Sequence, residues 1–425
     1  RTPDDTFVAE AVEKAKGADT VLLFIGLTDE YETEGCDRRH MNLPPLHNRL
    51  VNEVLKVNKN VVVVLAGGSA VELPWADEVP AILHTFLSGQ TTGSAVCDVL
   101  FGDVNPSGKL SETYPMALSE NPSANYFPGT PVSVEYRESV YVGYRYYDTA
   151  EKAVRFPFGH GLSYTTFEYS DLKTSAESID DTDTLTVTCK VKNTGSRDGA
   201  EVVELYVSDE ESTIYRPKKE LKAFTKVFLK AGEEKEVSMT LDKRAFAYYN
   251  VNIHDWHVET GAFKILVGAS SRDIRLETEV QVRSTVEAEI PDYRVSAPSY
   301  YSGDITHVSD EEFVAVLGRE LPPNARDKSQ PLTLGNTIED AVDGKWGGRF
   351  NRLFKKMLGE DTLAGAIALQ LPIKNFVSMS FGLFSEDMAK GLLVILNEDK
   401  FAKGMGKILK GVPHTLANLG KLKGI

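Results

Sequence analysis

Over residues 5–16 the apolar positions Phe7, Val8, Ala11, Val12 and Ala15 recur at helical spacing. The apolar run Thr20–Leu27 (TVLLFIGL) follows, and Gly17 and Gly26 bound it as a buried strand. Leu46–Val57 is a second amphipathic segment, and Asn60–Leu65 (NVVVVL) is a continuous β-branched run typical of a parallel strand covered on both faces. Ala81–Phe86 predicts a third strand, and Gly93–Phe101 a third helix ending near Gly102. This alternation over residues 1–115 predicts a layered α/β sheet with helices on both sides.

The period then changes. Residues 116–166 are rich in Pro, Gly and aromatics, with seven tyrosines from Tyr126 to Tyr164, which predicts an ordered connection and not a flexible linker. Residues 167–285 carry short alternating runs (Thr184–Val191, Glu201–Val207, Glu236–Leu241, Ala262–Val267) separated by turn signals at Asn193–Gly195, Gly232 and Gly261. That is the pattern of an all-β sandwich. Residues 286–335 are polar and Pro-containing and read as a linker. Residues 336–425 return to helical spacing, with expected helices over Phe350–Leu358, Asp361–Leu369, Glu386–Leu396 and Asp399–Leu409. The expected fold is therefore a multidomain α/β and all-β chain with a mostly helical carboxy-terminal extension, whose role the sequence leaves open.

Composition narrows the function classes. The 425 residues carry a formal net charge of −15, which makes the phosphate term repulsive and argues against nucleic acid as a partner. A mean hydropathy of −0.23 is that of a soluble globular chain, with no stretch long and apolar enough to span a bilayer. Cys36, Cys97 and Cys189 are too few and too scattered for a disulfide framework or a zinc site, so a reducing, cytoplasmic setting is expected. The chain starts with Arg1 and shows no signal peptide, so secretion stays open.

The chemistry concentrates in Tyr31–Pro44 (YETEGCDRRHMNLP). Glu32 and Glu34, beside Gly35, follow a predicted strand's carboxyl end, where open α/β sheets place ligand sites. Gly35 permits a sharp turn, and Asp37 and Arg38 are suited to pair and hold the loop. Taken alone, such a segment equally describes a solvated acidic loop. It resembles, however, the E-x-E-G-x-D-R…L-x-L-P loop in the second domain of family 3 glycoside hydrolases, the β-glucosidase family. Asp98–Leu110 (DVLFGDVNPSGKL) with Thr113-Tyr114-Pro115, Tyr141–Asp148 (YVGYRYYD) and Phe156–Phe167 (FPFGHGLSYTTF) resemble further segments of that family in the same order. Asn193-Thr194-Gly195 and Val267–Leu276 resemble its fibronectin-III-like domain.

The resemblance implies a role for each candidate residue. Glu34 falls at the position of the catalytic acid/base, with Glu32, Asp37 and Arg38 as loop support and Tyr31 as a sugar-stacking aromatic at the pocket mouth. A retaining glycosidase needs a second carboxyl group about 5–5.5 Å away as nucleophile. In the family that group is a barrel Asp before Trp. The Asp255-Trp256 pair here lies inside the predicted sandwich, and Trp256 reads as a packing residue. The nucleophile is thus expected elsewhere, on a (β/α) barrel polypeptide or an upstream segment. His254 and His257 lack a third ligand for a metal, and Gly67-Gly68 and Gly89–Gly93 lack dinucleotide or P-loop spacing, so neither metal nor cofactor is expected. Cys36, Thr91, His47 and His160 depart from the family's usual residues. Cys36 bears on aglycone preference.

The expected organisation is a family 3 second α/β domain (1–115), a connecting segment (116–166), a fibronectin-III-like domain (167–285), a linker (286–335) and a helical extension (336–425). The expected function is the acid/base part of a retaining β-glucosidase acting on β-glucosides or oligosaccharides, with no nucleic acid or membrane partner. Self-association is compatible with this organisation. The alternatives are a β-xylosidase or α-arabinofuranosidase of the same architecture, and a non-catalytic carbohydrate-binding or scaffolding module.

Overall fold

A computed structural model describes residues 5–34, 37–129, 133–359, 369–380, 383–398 and 400–422. They fall into two compact units, one of Arg1–Leu27 with His40–Asn324, the other of Thr28–Arg39 with Ala325–Ile425. The first unit begins with α1 (Asp5–Ala15), β1 (Val21–Gly26), α2 (Pro45–Leu55), β2 (Val61–Ala66), β3 (Ala81–His84) and α3 (Thr92–Leu100). The strands form a parallel sheet in the order β1-β2-β3, with Leu23 beside Val63 and Val63 beside Ile82. Strand alternation sends Leu23, Ile25, Val61, Val63 and Leu65 into a core with Ala15 of α1 and Val51, Val54 and Leu55 of α2. The opposite face carries Leu22, Phe24, Val62, Val64, Ala81 and Leu83 in register. It is covered over β2, as expected, where Val64 is 4% exposed, but not over β1, where Phe24 is 64% exposed and Leu22 43%.

β4 (Tyr114–Pro115) and β5 (Val154–Phe156) pair with each other on either side of the aromatic connection that contains α4 (Tyr144–Thr149). The sandwich comprises β6 (Phe167–Thr174), β7 (Ser178–Asp180), β8 (Leu185–Asn193), β9 (Gly199–Asp209), β10 (Glu220–Leu229), β11 (Glu234–Leu241), β14 (Gly261–Ser270) and β15 (Asp273–Arg283). Its sheets run β10-β9-β14-β15-β7 and β11-β8-β6. Between β11 and β14 lie α5 (Lys243–Phe246) and the hairpin of β12 (Tyr248–Asn250) and β13 (Asp255–His257). Leu185, Val187, Cys189 and Val191 of β8 alternate into the core, meeting Val203, Leu205 and Val207 of β9 and Phe263, Ile265 and Val267 of β14.

Residues 286–335, polar in composition, hold two helices: α6 (Ser299–Ser302) and α7 (Asp310–Leu317). A Ser309/Glu312 capping box starts α7, and Glu312 also accepts from the Ser299 amide at 2.9 Å, tying the two helices together. Tyr300 and Phe313 then close a core around Tyr141, Tyr146 and Tyr147 of the connection. Arg137 is buried there, donating to Val308 O at 2.9 Å and to the Glu135 and Asp310 carboxylates, with its guanidinium over the Phe313 ring. The polar residues of 286–324 thus face outward while a few aromatics carry the packing.

Buried charges bind the connection to the sandwich. Asp148 at the end of α4 accepts from Arg272 Nε at 2.7 Å and lies 3.0 Å from Lys219 Nζ, while Arg272 also donates to the Tyr147 and Lys152 carbonyls. Nearby, Gly159 adopts φ +80, and a Cβ there would stand 2.4 Å from Glu204 Oε2. Only glycine lets the Phe156–Gly161 segment pass so close to β9. Glu204 is itself buried and accepts a hydrogen bond from Tyr206. Burial pushes its carboxyl up to about 7, against the opposing pull of the Tyr206 hydroxyl and the Lys109 charge.

The second unit contains α8 (Lys345–Leu358), α9 (Ile373–Met379), α10 (Glu386–Glu398) and α11 (Phe401–Leu422). The helix expected over 361–369 lies, up to residue 368, outside the described residues. Phe350 and Phe354 of α8 pack with Ile373 of α9 and with Ala389 and Leu396 of α10. Trp346 stacks on Phe401 at 4.3 Å, joining α8 to α11.

Asp148→Ala leaves the buried Lys219 and the partly exposed Arg272 without their shared partner, and we expect a loss of about 1–3 kcal/mol in denaturant unfolding. An unchanged midpoint and slope would remove Asp148 from this role. Glu204 holds its proton more tightly folded than unfolded, so its contribution is complete below the ordinary value of 4.5 and is lost as pH rises through about 7. Glu204→Gln keeps an acceptor for Tyr206 and should flatten the fall in stability across that window, measured as Tm against pH.

Candidate active-site loop

The pairing of β1 with β2 runs to the last residue before the loop, where Leu27 N donates to Ala66 O at 3.0 Å. In the chain the loop therefore follows a strand's carboxyl end, as the apolar run predicted. Within it, Thr28 O accepts from Tyr31 N at 2.8 Å and from Glu32 N at 3.0 Å, which turns the backbone sharply. Tyr31 and Glu32 are half-buried and engaged in further contacts. Glu34 is exposed and makes no hydrogen bond or ion pair among the described residues. Glu32 and Glu34 are thus unlike: Glu32 is half-buried and engaged, and Glu34 is exposed. Gly35 and Cys36, to which the turn and the aglycone effect were ascribed, lie outside the described residues. Asp37 is exposed, and Arg38 is half-buried with contacts of its own.

At the carboxyl ends of the three strands in the first unit lies a polar set that the sequence singled out only in part. His47 on α2 faces the Gly26 amide at 3.4 Å, and burial lowers its pKa. His84 closes β3 with Nδ1 3.1 Å from Leu65 O, while Nε2 meets the Tyr114 hydroxyl. The Phe86 amide also approaches Nδ1 at 3.4 Å, so the imidazole is held from both sides, between the end of β2 and Tyr114. Tyr114 is fully buried, and the bond to His84 satisfies its hydroxyl while pinning the returning chain onto the sheet. The one sequence signal for His84 was a polar residue ending an apolar run. His160 stacks on Phe156 at 5.0 Å, and burial lowers its pKa.

Asp255-Trp256 lies in the β12–β13 hairpin, where Asp255 is exposed and Trp256 sits under the Arg244 guanidinium and against Tyr249. His257 is buried, bonded at 3.0 Å to both the Tyr248 hydroxyl and Val286 O, which occupies both ring nitrogens with protein partners. No helix among the described residues is long and apolar enough to cross a membrane.

Residues 1–164 match the glycosyl hydrolase family 3 C-terminal domain, and residues 201–271 match the fibronectin type III-like domain. The chain belongs to glycosyl hydrolase family 3. It is 46% identical over 394 residues to thermostable beta-glucosidase B of Acetivibrio thermocellus, a match covering 93% of this chain and 48% of that protein. It is 48% identical over 272 residues to an exo-alpha-(1->6)-L-arabinopyranosidase of Bifidobacterium breve, covering 64% of this chain and 36% of that protein. The crystal structure of Bifidobacterium adolescentis GH3 beta-glucosidase superposes with a TM-score of 0.65 at 40% identity, covering 82% of this chain and 45% of that one. The chain spans less than half the length of each of these relatives.

Proposed function

We propose that this chain supplies the acid/base loop of a retaining β-glucosidase, with Glu34 as proton donor in glycosylation and as base in deglycosylation. The exposed carboxyl of Glu34, presented beyond a strand end in a chain of this family, carries the proposal. Glu32 and Arg38, half-buried, support the loop with Asp37, and Tyr31 offers a ring face to a sugar. In the first step the protonated carboxyl of Glu34 gives its proton to the leaving-group oxygen while a second carboxylate attacks the anomeric carbon. In the second, Glu34 as carboxylate takes a proton from water as the glycosyl–enzyme bond breaks.

A partner surface follows from two requirements. The mechanism needs a nucleophile, and we place it on a (β/α) barrel polypeptide or segment. A general acid also needs an environment that keeps it protonated, which an exposed side chain gains from the protein and substrate that close over it. The uncovered face with Leu22 and Phe24 supports a further layer packing on the sheet. Cytoplasmic location remains our proposal, supported by Cys97 and Cys189 both being free thiols. A pentosidase is the second reading. It is favoured by the identity to the arabinopyranosidase, and the choice of sugar would rest with the nucleophile-bearing part.

In the complete enzyme, Glu34→Gln should lower kcat/KM on alkyl β-glucosides by roughly 10²–10⁴-fold while sparing kcat/KM on dinitrophenyl β-glucoside, whose leaving group needs no proton. Equal turnover of the alkyl glucoside by variant and parent would exclude Glu34. Residues 1–425 alone should show no β-glucosidase activity and should self-associate in analytical ultracentrifugation, whereas co-expression with the barrel part should restore activity and a defined size. A monodisperse, active preparation of this chain by itself would overturn the shared-site proposal.

A further inference from the structure

The loop Thr28–Arg39 shares its compact unit with Ala325–Ile425 and not with the sheet that precedes it in the chain. Its charge is opposite to that of its companions. The loop holds five acidic residues (Asp29, Glu30, Glu32, Glu34, Asp37) against two arginines. Residues 325–425 hold fifteen Lys and Arg against ten Asp and Glu, in a chain whose net charge is −15. Five carboxylates within twelve residues repel one another, and an isolated loop of this kind would expand; a basic neighbour offsets that repulsion. The helical part is also shared in sequence with a relative. The match to the Acetivibrio protein covers 93% of the chain, too much to be accommodated without most of residues 325–425.

From these observations we infer that the helical extension is a positioning element for the acid/base loop. The inference rests on the assignment of Glu34 above and gives a role to the part of the chain that the family resemblance left without one. The extension has the rigidity that this task requires. α10 and α11 approach so closely that a Cβ on Gly404 would stand 2.2 Å from Ile395 Cγ1 and 2.5 Å from Gly391 O. Trp346, under the Arg349 guanidinium, stacks on Phe401 and fixes α8 to the start of α11. Asn397 exchanges hydrogen bonds with both the amide and the carbonyl of Leu332, anchoring the end of α10 to the entering chain. A catalytic carboxyl on an unsupported loop samples many positions, and a general acid displaced by about an ångström loses much of its effect.

The test uses the complete enzyme, with Gly404→Leu forcing α10 and α11 apart and Trp346→Ala removing the stack. Neither residue belongs to the proposed catalytic machinery. We expect kcat/KM on an alkyl β-glucoside to fall by about tenfold or more while kcat/KM on dinitrophenyl β-glucoside stays within about twofold, the signature of an impaired general acid. Added azide should accelerate the variants on the activated substrate, by entering the space that a displaced carboxylate leaves. Should Gly404→Leu fail to accumulate, Trp346→Ala carries the same readout. Parallel losses on both substrates, or none on either, would overturn the inference. Glu34→Gln is measured alongside: if it discriminates between the substrates and the helical variants do not, the inference alone falls, and if it does not discriminate, the assignment of Glu34 falls first.

Discussion

The buried carboxylate of Asp148, held between Arg272 and Lys219, is the constraint around which the first unit is arranged. A charge removed from water is tolerable only when paired and hydrogen-bonded, so these three side chains fix the positions of three separate segments at once. Arg272 sits in the turn between β14 and β15 and also takes up the carbonyls of Tyr147 and Lys152, so the end of α4 is held to the sandwich by its backbone as well. Once α4 is fixed, Tyr146 and Tyr147 bury against Ala297, Tyr300 and Phe313, and the chain beyond the sandwich closes over the connection. The connection is thus a structural joint made of aromatics and paired charges.

The same economy explains the sequence motifs shared with the family. Gly159 in the Phe156–Phe167 segment is required by the Glu204 carboxylate that a side chain would strike. Tyr114 is buried, and its hydroxyl meets the His84 ring in place of water. These residues hold the returning chain against the strand ends and the sandwich, and the loop that we assign to catalysis leaves from one of those strand ends.

Two surfaces of the chain are unsatisfied in complementary ways. One face of the parallel sheet exposes Leu22 and Phe24, and Glu34 stands in solvent with no protein partner among the described residues. An apolar face gains free energy when covered, and a general acid works only when enclosed. Both conditions would be met by the second body of protein that we propose, and the matches to the longer relatives cover less than half of each.

The sequence by itself determined the order and kind of the elements: helical spacing in α1 and α2, β-branched runs in β1 and β2, alternation in β8 and β9, and helices again near the carboxyl terminus. Those patterns are local, set by the 3.6 and 2.0 residue periods of helix and strand, and they survive without knowledge of what packs on them. The family motifs were equally legible, as was the loop holding Glu32 and Glu34. Only the tertiary structure decided what depends on distant residues meeting. It placed α6 and α7 in a stretch whose polar composition hid a few core aromatics. It buried the β-branched run of β2 but left Leu22 and Phe24 of the apolar run in β1 exposed. It brought Thr28–Arg39 into one unit with helices some three hundred residues away. Burial, charge pairing and proximity are sums over such long-range contacts, and no window of sequence contains both members of the pair.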